Sequence, residues 1–120
     1  MRRVLVVDDD RRMRRTLQIV VEHMGLESVA VADAAEARAQ LGAMHFDLVL
    51  TDLKMPETSG ITLLEEIRLE QPKLPVILIT AYGTIETAIE AMQKGASDFV
   101  LKPFDNANLE RVIRRALARA

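Results

Sequence analysis

Three consecutive carboxylates, Asp8-Asp9-Asp10, follow the apolar run Val4-Leu5-Val6-Val7, and a fourth acid, Asp52, follows Leu48-Val49-Leu50-Thr51. Thr80 closes another apolar run, and Lys102 with Pro103 closes a further one. Adjacent acids beside apolar surroundings repel one another, and desolvation adds to the cost of ionising them. A hard divalent cation relieves that cost. Mg²⁺ uses one or two carboxylates, keeps waters and leaves room for a phosphoryl oxygen. One hydroxyl and one ammonium complete a set suited to a phosphoryl group: metal and lysine neutralise its charge and the hydroxyl orients it. A carboxylate can itself be the nucleophile and form an aspartyl phosphate. The chain has no cysteine, which excludes disulfides, thiolate metal sites and cysteine nucleophiles. His23 and His45 stand alone without partner spacing, so they suggest neither a metal nor a phosphohistidine role.

For these groups to meet, the chain must bring the ends of several elements to one edge. Short aliphatic runs bounded by polar residues predict strands buried on both faces at 4–7, 28–32, 47–51, 76–80 and 98–101. Segments of helical period lie between them. Met13, Leu17, Val20, Val21 and Met24 repeat at three- and four-residue steps before Gly25. An alanine-rich segment at 34–44 has Asp33 as its N-cap candidate. Ser59 precedes a helix that turns Ile61, Leu63, Leu64 and Ile67 inward and stops before Pro72. Ile85, Ala88, Ile89 and Met92 form a stripe ended by Gly95, and Leu109, Val112, Ile113, Ala116 and Leu117 form the last. Met13, Met24, Met44 and Met92 read as core filler. Strands alternating with helices predict a doubly wound, five-stranded α/β sheet, mostly parallel, whose site lies beyond the carboxyl ends of the strands. Those ends carry Asp8, Asp9, Asp10, Asp52, Thr80 and Lys102.

With 120 residues, 49% of them hydrophobic, the chain suits a single domain over 1–120 with a core of its own. Sixteen basic and eighteen acidic residues leave a net charge of −2, which argues against nucleic-acid binding by this domain. No apolar run approaches the roughly 18 residues of a membrane span, and the quickly acidic start does not suit a signal peptide. A cytoplasmic protein is expected. The arginines at 11, 12, 14 and 15, and those at 111, 114, 115 and 119, read as solvated helix faces. The first group also offsets the acids and offers a docking surface for a kinase.

The motifs VLVVDDD, DLVLTDLKMP with Gly60, VILITA and DFVLKPF together resemble a response-regulator receiver domain, over essentially the whole chain. Thr80 through Thr84 and Lys102 through Asp105 resemble the NtrC-like subgroup. The resemblance implies a flavodoxin-like (βα)5 fold with strand order 2-1-3-4-5. It also implies a phosphoacceptor that promotes its own phosphorylation and dephosphorylation rather than an enzyme acting on other substrates. Asp52 would take the phosphoryl group from a sensor histidine kinase. Asp9, Asp52 and the backbone carbonyl of Lys54 would bind Mg²⁺ directly, with Asp8 acting through a metal-bound water. Thr80 would donate to a phosphoryl oxygen, Lys102 would pair with Asp52 and then with the phosphoryl group, and Phe99 would be the switch aromatic. The Lys102–Pro103 bond is a cis candidate. Lys54 and Tyr82 would border the path of the hydrolytic water. The fourth helix, fifth strand and fifth helix would be the face through which a homodimer forms and an output, expected to be transcription, is controlled.

Some positions depart from the pattern. Ser59 stands where an aspartate is frequent, Phe99 lacks a tyrosine hydroxyl, and Asp10 is an extra acid suited to capping the first helix. Two other classes fit the sequence less well. An aspartate-nucleophile phosphatase would place D-x-D after its first strand, which Asp8-Asp9-Asp10 formally matches, but Arg12 stands where Thr or Val is wanted. A phosphorylation-independent interaction module of the same fold would have no use for intact acids, Thr80 and Lys102.

Overall fold

The computed structural model describes residues 2–55, 57–81 and 83–119. Strands and helices alternate as β1 (Arg3–Val7), α1 (Arg11–His23), β2 (Glu27–Val31), α2 (Ala34–Ala43), β3 (Leu48–Thr51), α3 (Gly60–Glu70), β4 (Val76–Thr80), α4 (Ile85–Gln93), β5 (Asp98–Leu101) and α5 (Asn106–Arg119). The five strands form one sheet in the order β2-β1-β3-β4-β5, and every pair is parallel. The expected fold class and strand order are those found.

The continuous apolar runs follow from this arrangement, because alternate residues of one strand serve two cores. Val4, Val6, Leu48, Leu50, Ile77 and Ile79 join the side chains of α1 and α5 on one face. Leu5, Val7, Val49, Val76 and Leu78 join those of α2, α3 and α4 on the other. All of these strand residues are essentially inaccessible. Boundaries differ from the expected ones by a residue. β2 ends at Val31 because the Ala32 N–H is taken by the Glu36 carboxylate at 2.8 Å. β3 begins at Leu48, next to Asp47, whose carboxylate accepts from the Arg3 N–H at 2.8 Å. α1 and α4 run out into Gly25 (φ +81°) and Gly95 (φ +104°), left-handed positions that favour glycine.

The fourth helix departs from its expected packing. Ala91 is its one fully buried residue among those described, whereas Ile85, Ile89 and Met92 are 81%, 52% and 48% exposed. The apolar stripe therefore faces outward, and small alanines seat the helix on the sheet. Periodicity shows that a helix has an apolar side but not which side a neighbour covers. For the same reason Met44 and Met92 are surface residues rather than core filler, while Met13 and Met24 do pack against the core.

Candidate functional site

β1 delivers Asp8 to the sheet edge, where its N–H continues the ladder by donating to the Val31 carbonyl at 3.1 Å. The chain then turns tightly. Asp8 Oδ1 accepts from the Asp10 N–H at 2.9 Å, and Asp10 in turn caps α1 by accepting from the Arg12 N–H. Asp10 is thus the cap expected of it. Asp8 is buried and Asp9 is exposed.

β3 delivers Asp52, whose N–H donates to the Val7 carbonyl at 2.9 Å. The loop beyond it folds back sharply: Lys54 and Ser59 form an antiparallel bridge, Glu57 adopts φ 69°, and Ser59 caps α3. The Gly60 N–H donates to the Leu53 carbonyl at 2.7 Å. A Cβ on Gly60 would lie 2.2 Å from the Asp52 carbonyl oxygen. This glycine is required by close backbone approach, and it holds the acceptor loop against the start of α3.

β4 and β5 bring the remaining groups. Thr80 is wholly buried, and its carbonyl accepts from the Lys102 N–H at 2.9 Å. The Lys102–Pro103 peptide is cis, as expected. Lys102 Nζ donates to Asp8 Oδ2 at 2.8 Å and to Asp52 Oδ2 at 3.1 Å. The Lys54 N–H donates to Asp52 Oδ1 at 3.3 Å. Lys102 thus pairs with Asp8 as well as with Asp52.

Electrostatics follow from this packing. Burial pushes the Asp8 carboxyl above its ordinary range, and the hydrogen bonds from Lys102 and the Asp10 N–H offset only part of the rise. Burial alone would lower Lys102. Its hydrogen bonds to Asp8 and Asp52 outweigh that and hold the ammonium above its ordinary value.

Carboxylate oxygens of Asp8, Asp9 and Asp52 lie within 4.8 Å of one another. Asp9 and Asp52 border a cleft of about 470 Å³ walled also by Asp10, Met13, Lys54, Met55, Ala81 and Lys102. The donor set is all oxygen, small and anionic, so it fits a hard divalent cation with room for waters and a phosphoryl group. Both Asp8 oxygens accept hydrogen bonds and Asp8 does not line the cleft, whereas Asp9 and Asp52 do.

Most of the residues singled out in the sequence thus converge on one edge. Phe99 is not among them: it sits half-buried on β5, beside Leu78 of β4 and against the α2–α3–α4 core. Tyr82 lies outside the described residues. Arg14 was missed. It is half-buried rather than solvated, and its guanidinium donates to the Asp8 carbonyl at 2.9 Å, fastening the acidic turn to α1. Nothing in the run of arginines at 11, 12, 14 and 15 distinguishes it from its neighbours.

Comparison with known proteins agrees with this geometry. The model of the response regulator receiver domain matches residues 4–114. The chain is 42% identical over 115 residues to the regulatory protein AtoC of Escherichia coli K12, covering 96% of this chain and 25% of AtoC. It is 40% identical over 115 residues to the transcriptional regulatory protein ZraR of the same organism, covering 96% and 26%. The chain thus spans about a quarter of the length of these curated relatives. Among solved structures, the beryllofluoride-activated NtrC4 receiver domain dimer superposes with a TM-score of 0.94 at 31% identity, covering 98% of both chains. No helix among the described residues is long and apolar enough to cross a membrane.

Proposed function

Because the chain belongs to the response regulator receiver domain family, and to its NtrC-like branch by its relatives, we propose that Asp52 accepts a phosphoryl group from a sensor histidine kinase. The observation that carries this reading is the placement of the Lys102 ammonium between Asp8 and Asp52, 2.8 and 3.1 Å away, at the mouth of an all-oxygen cleft. In the proposed step an Asp52 carboxylate oxygen bonds to phosphorus as the bond from phosphorus to the donor breaks. The donor keeps that electron pair, and Asp52 becomes an acyl phosphate.

Mg²⁺ held by Asp9, Asp52 and the Lys54 carbonyl, with Asp8 acting through a water, would neutralise charge on the transferring group. Lys102 neutralises a phosphoryl oxygen from the other side while keeping its hold on Asp8. The Thr80 hydroxyl, at the end of β4, donates to another oxygen and draws the following loop toward Asp52. Phe99 then takes the space this loop vacates. Water returns the aspartate by hydrolysis, so the domain acts on its own side chain and on no separate substrate.

The change is a shift between two arrangements, read out at the face of α4, β5 and α5, where α4 and β5 present apolar surface to solvent. Ile85, Ile89 and Met92 on α4 lie exposed there together with Leu101 on β5. We assign this face to homodimerisation, in keeping with the dimer formed by the activated NtrC4 receiver. The output proposed is transcription, as in ZraR. Acetyl phosphate with Mg²⁺ should add one phosphoryl group by intact mass, chelation of the metal should prevent it, and Asp52→Asn should not be labelled. Full labelling of Asp52→Asn would reject the assignment.

A further inference from the structure

Gly83 lies three residues past Thr80, in the loop between β4 and α4. A Cβ on Gly83 would lie 2.4 Å from Leu101 Cδ2 and 2.7 and 2.9 Å from Phe99 Cε1 and Cζ. These overlaps leave no space for a side chain at 83. The obstructing atoms are all ends of side chains, and both chains come from the same face of β5, two residues apart. Leu101 is also the register partner of Thr80. The loop that follows Thr80 is therefore roofed by the Phe99 ring and by Leu101, in direct contact with bare backbone at Gly83.

We propose that Gly83 is the seat of the Phe99 ring, and that the missing Cβ lets the ring and Leu101 close over this loop and hold it in its present arrangement. The proposal rests on the phosphoacceptor reading of Asp52, in which Thr80 draws the same loop inward. While the loop stays, ring and loop occupy complementary space. When the loop moves toward Asp52, Gly83 withdraws from beneath the ring, and the ring is released. A methyl group at 83 overlaps the ring only in the present arrangement, so it disfavours that arrangement relative to the moved one. By linkage it must then tighten binding of any ligand that favours the moved arrangement.

The test uses protein labelled with 4-fluorophenylalanine. The chain has three phenylalanines, and Phe99→Leu identifies which fluorine resonance belongs to Phe99. In the wild type, beryllofluoride with Mg²⁺ should move that resonance. Gly83→Ala should move it toward the same position before any addition, and should lower the half-saturating beryllofluoride concentration roughly three- to tenfold. In Phe99→Leu combined with Leu101→Ala, where both overlapping side chains are gone, adding Gly83→Ala should no longer change half-saturation. If Gly83→Ala does not fold, Gly83→Ala with Leu101→Ala removes the overlap with Leu101 but keeps that with the ring, and should show a shift in the same direction. An unmoved Phe99 resonance, unchanged or weakened beryllofluoride binding, or a tightening that persists without the ring and the Leu101 side chain would overturn the proposal. A wild type that takes no beryllofluoride would instead reject the reading of Asp52, and the proposal with it.

Discussion

The main-chain N–H of Lys102 donates to the carbonyl of Thr80 at 2.9 Å, so the residue whose ammonium holds the two acids is joined to Thr80 through one bond of the β4–β5 ladder. A pull on either side chain is felt by the backbone of the other. This ties the chemistry proposed for Asp52 to the edge of the sheet where α4 begins.

Loss of either group should therefore separate phosphorylation from its consequence. Thr80→Ala and Lys102→Ala should still accept phosphate from acetyl phosphate, at reduced rates, yet lose most of the amide chemical-shift change that beryllofluoride causes in the wild type along α4 and β5. Full-sized changes in both variants would show that neither couples the site to that face.

Mg²⁺ should stabilise the fold, because the acids converge only in the native state. At a free concentration of 100 times the dissociation constant the gain is about 2.7 kcal/mol. Asp9→Asn should remove most of this rise in melting temperature and leave the metal-free protein as stable or slightly more so, since one repelling charge is gone. Equal Mg²⁺ shifts in wild type and Asp9→Asn would place the ion elsewhere.

Metal-free stability should depend on pH through Lys102. Its folded value lies above the ordinary 10.5, so its contribution is complete below 10.5 and is lost as pH rises through the folded value. Asp8 acts in the opposite sense: with a folded value above 3.8, the native state takes up a proton and stability falls as pH rises across that window. Urea midpoints followed from about pH 9 to about pH 12 should decline more steeply for wild type than for Lys102→Met. Parallel curves would mean that the ammonium gains nothing from its two acids.

The exposed stripe on α4 allows a surface test. Ile85→Glu and Ile89→Glu should each leave folding stability within about 0.5 kcal/mol, because both side chains already face water. Together they should abolish self-association in beryllofluoride, followed by sedimentation. A destabilised monomer, or an undiminished dimer, would count against the assigned face.

How far all this could be read in advance differs by element. Alternating strands and helices, the caps at Asp10, Asp33 and Ser59, and the edge carrying Asp8, Asp52, Thr80 and Lys102 follow from local pattern, and the structure has them. Ile85, Ile89 and Met92 misled, since a period shows an apolar side but not whether anything covers it. Arg14 and Gly83 were invisible for another reason. Each matters through a contact between segments, Arg14 with the Asp8 carbonyl and Gly83 with Phe99, and no local signal carries such a contact. Gly60 lies between these cases: its presence near Asp52 was evident, but the 2.2 Å approach that requires it was not.

The central claim is that the Asp52 carboxylate, and no other group, becomes the acyl phosphate. Borohydride reduces an aspartyl phosphate to homoserine, so protein treated with acetyl phosphate and Mg²⁺, reduced, digested and sequenced by mass spectrometry records the site directly. The account predicts homoserine at position 52, dependent on Mg²⁺ and absent without the phosphodonor. Homoserine at position 8 or 9, or phosphate retained on a histidine with position 52 unchanged, would contradict it.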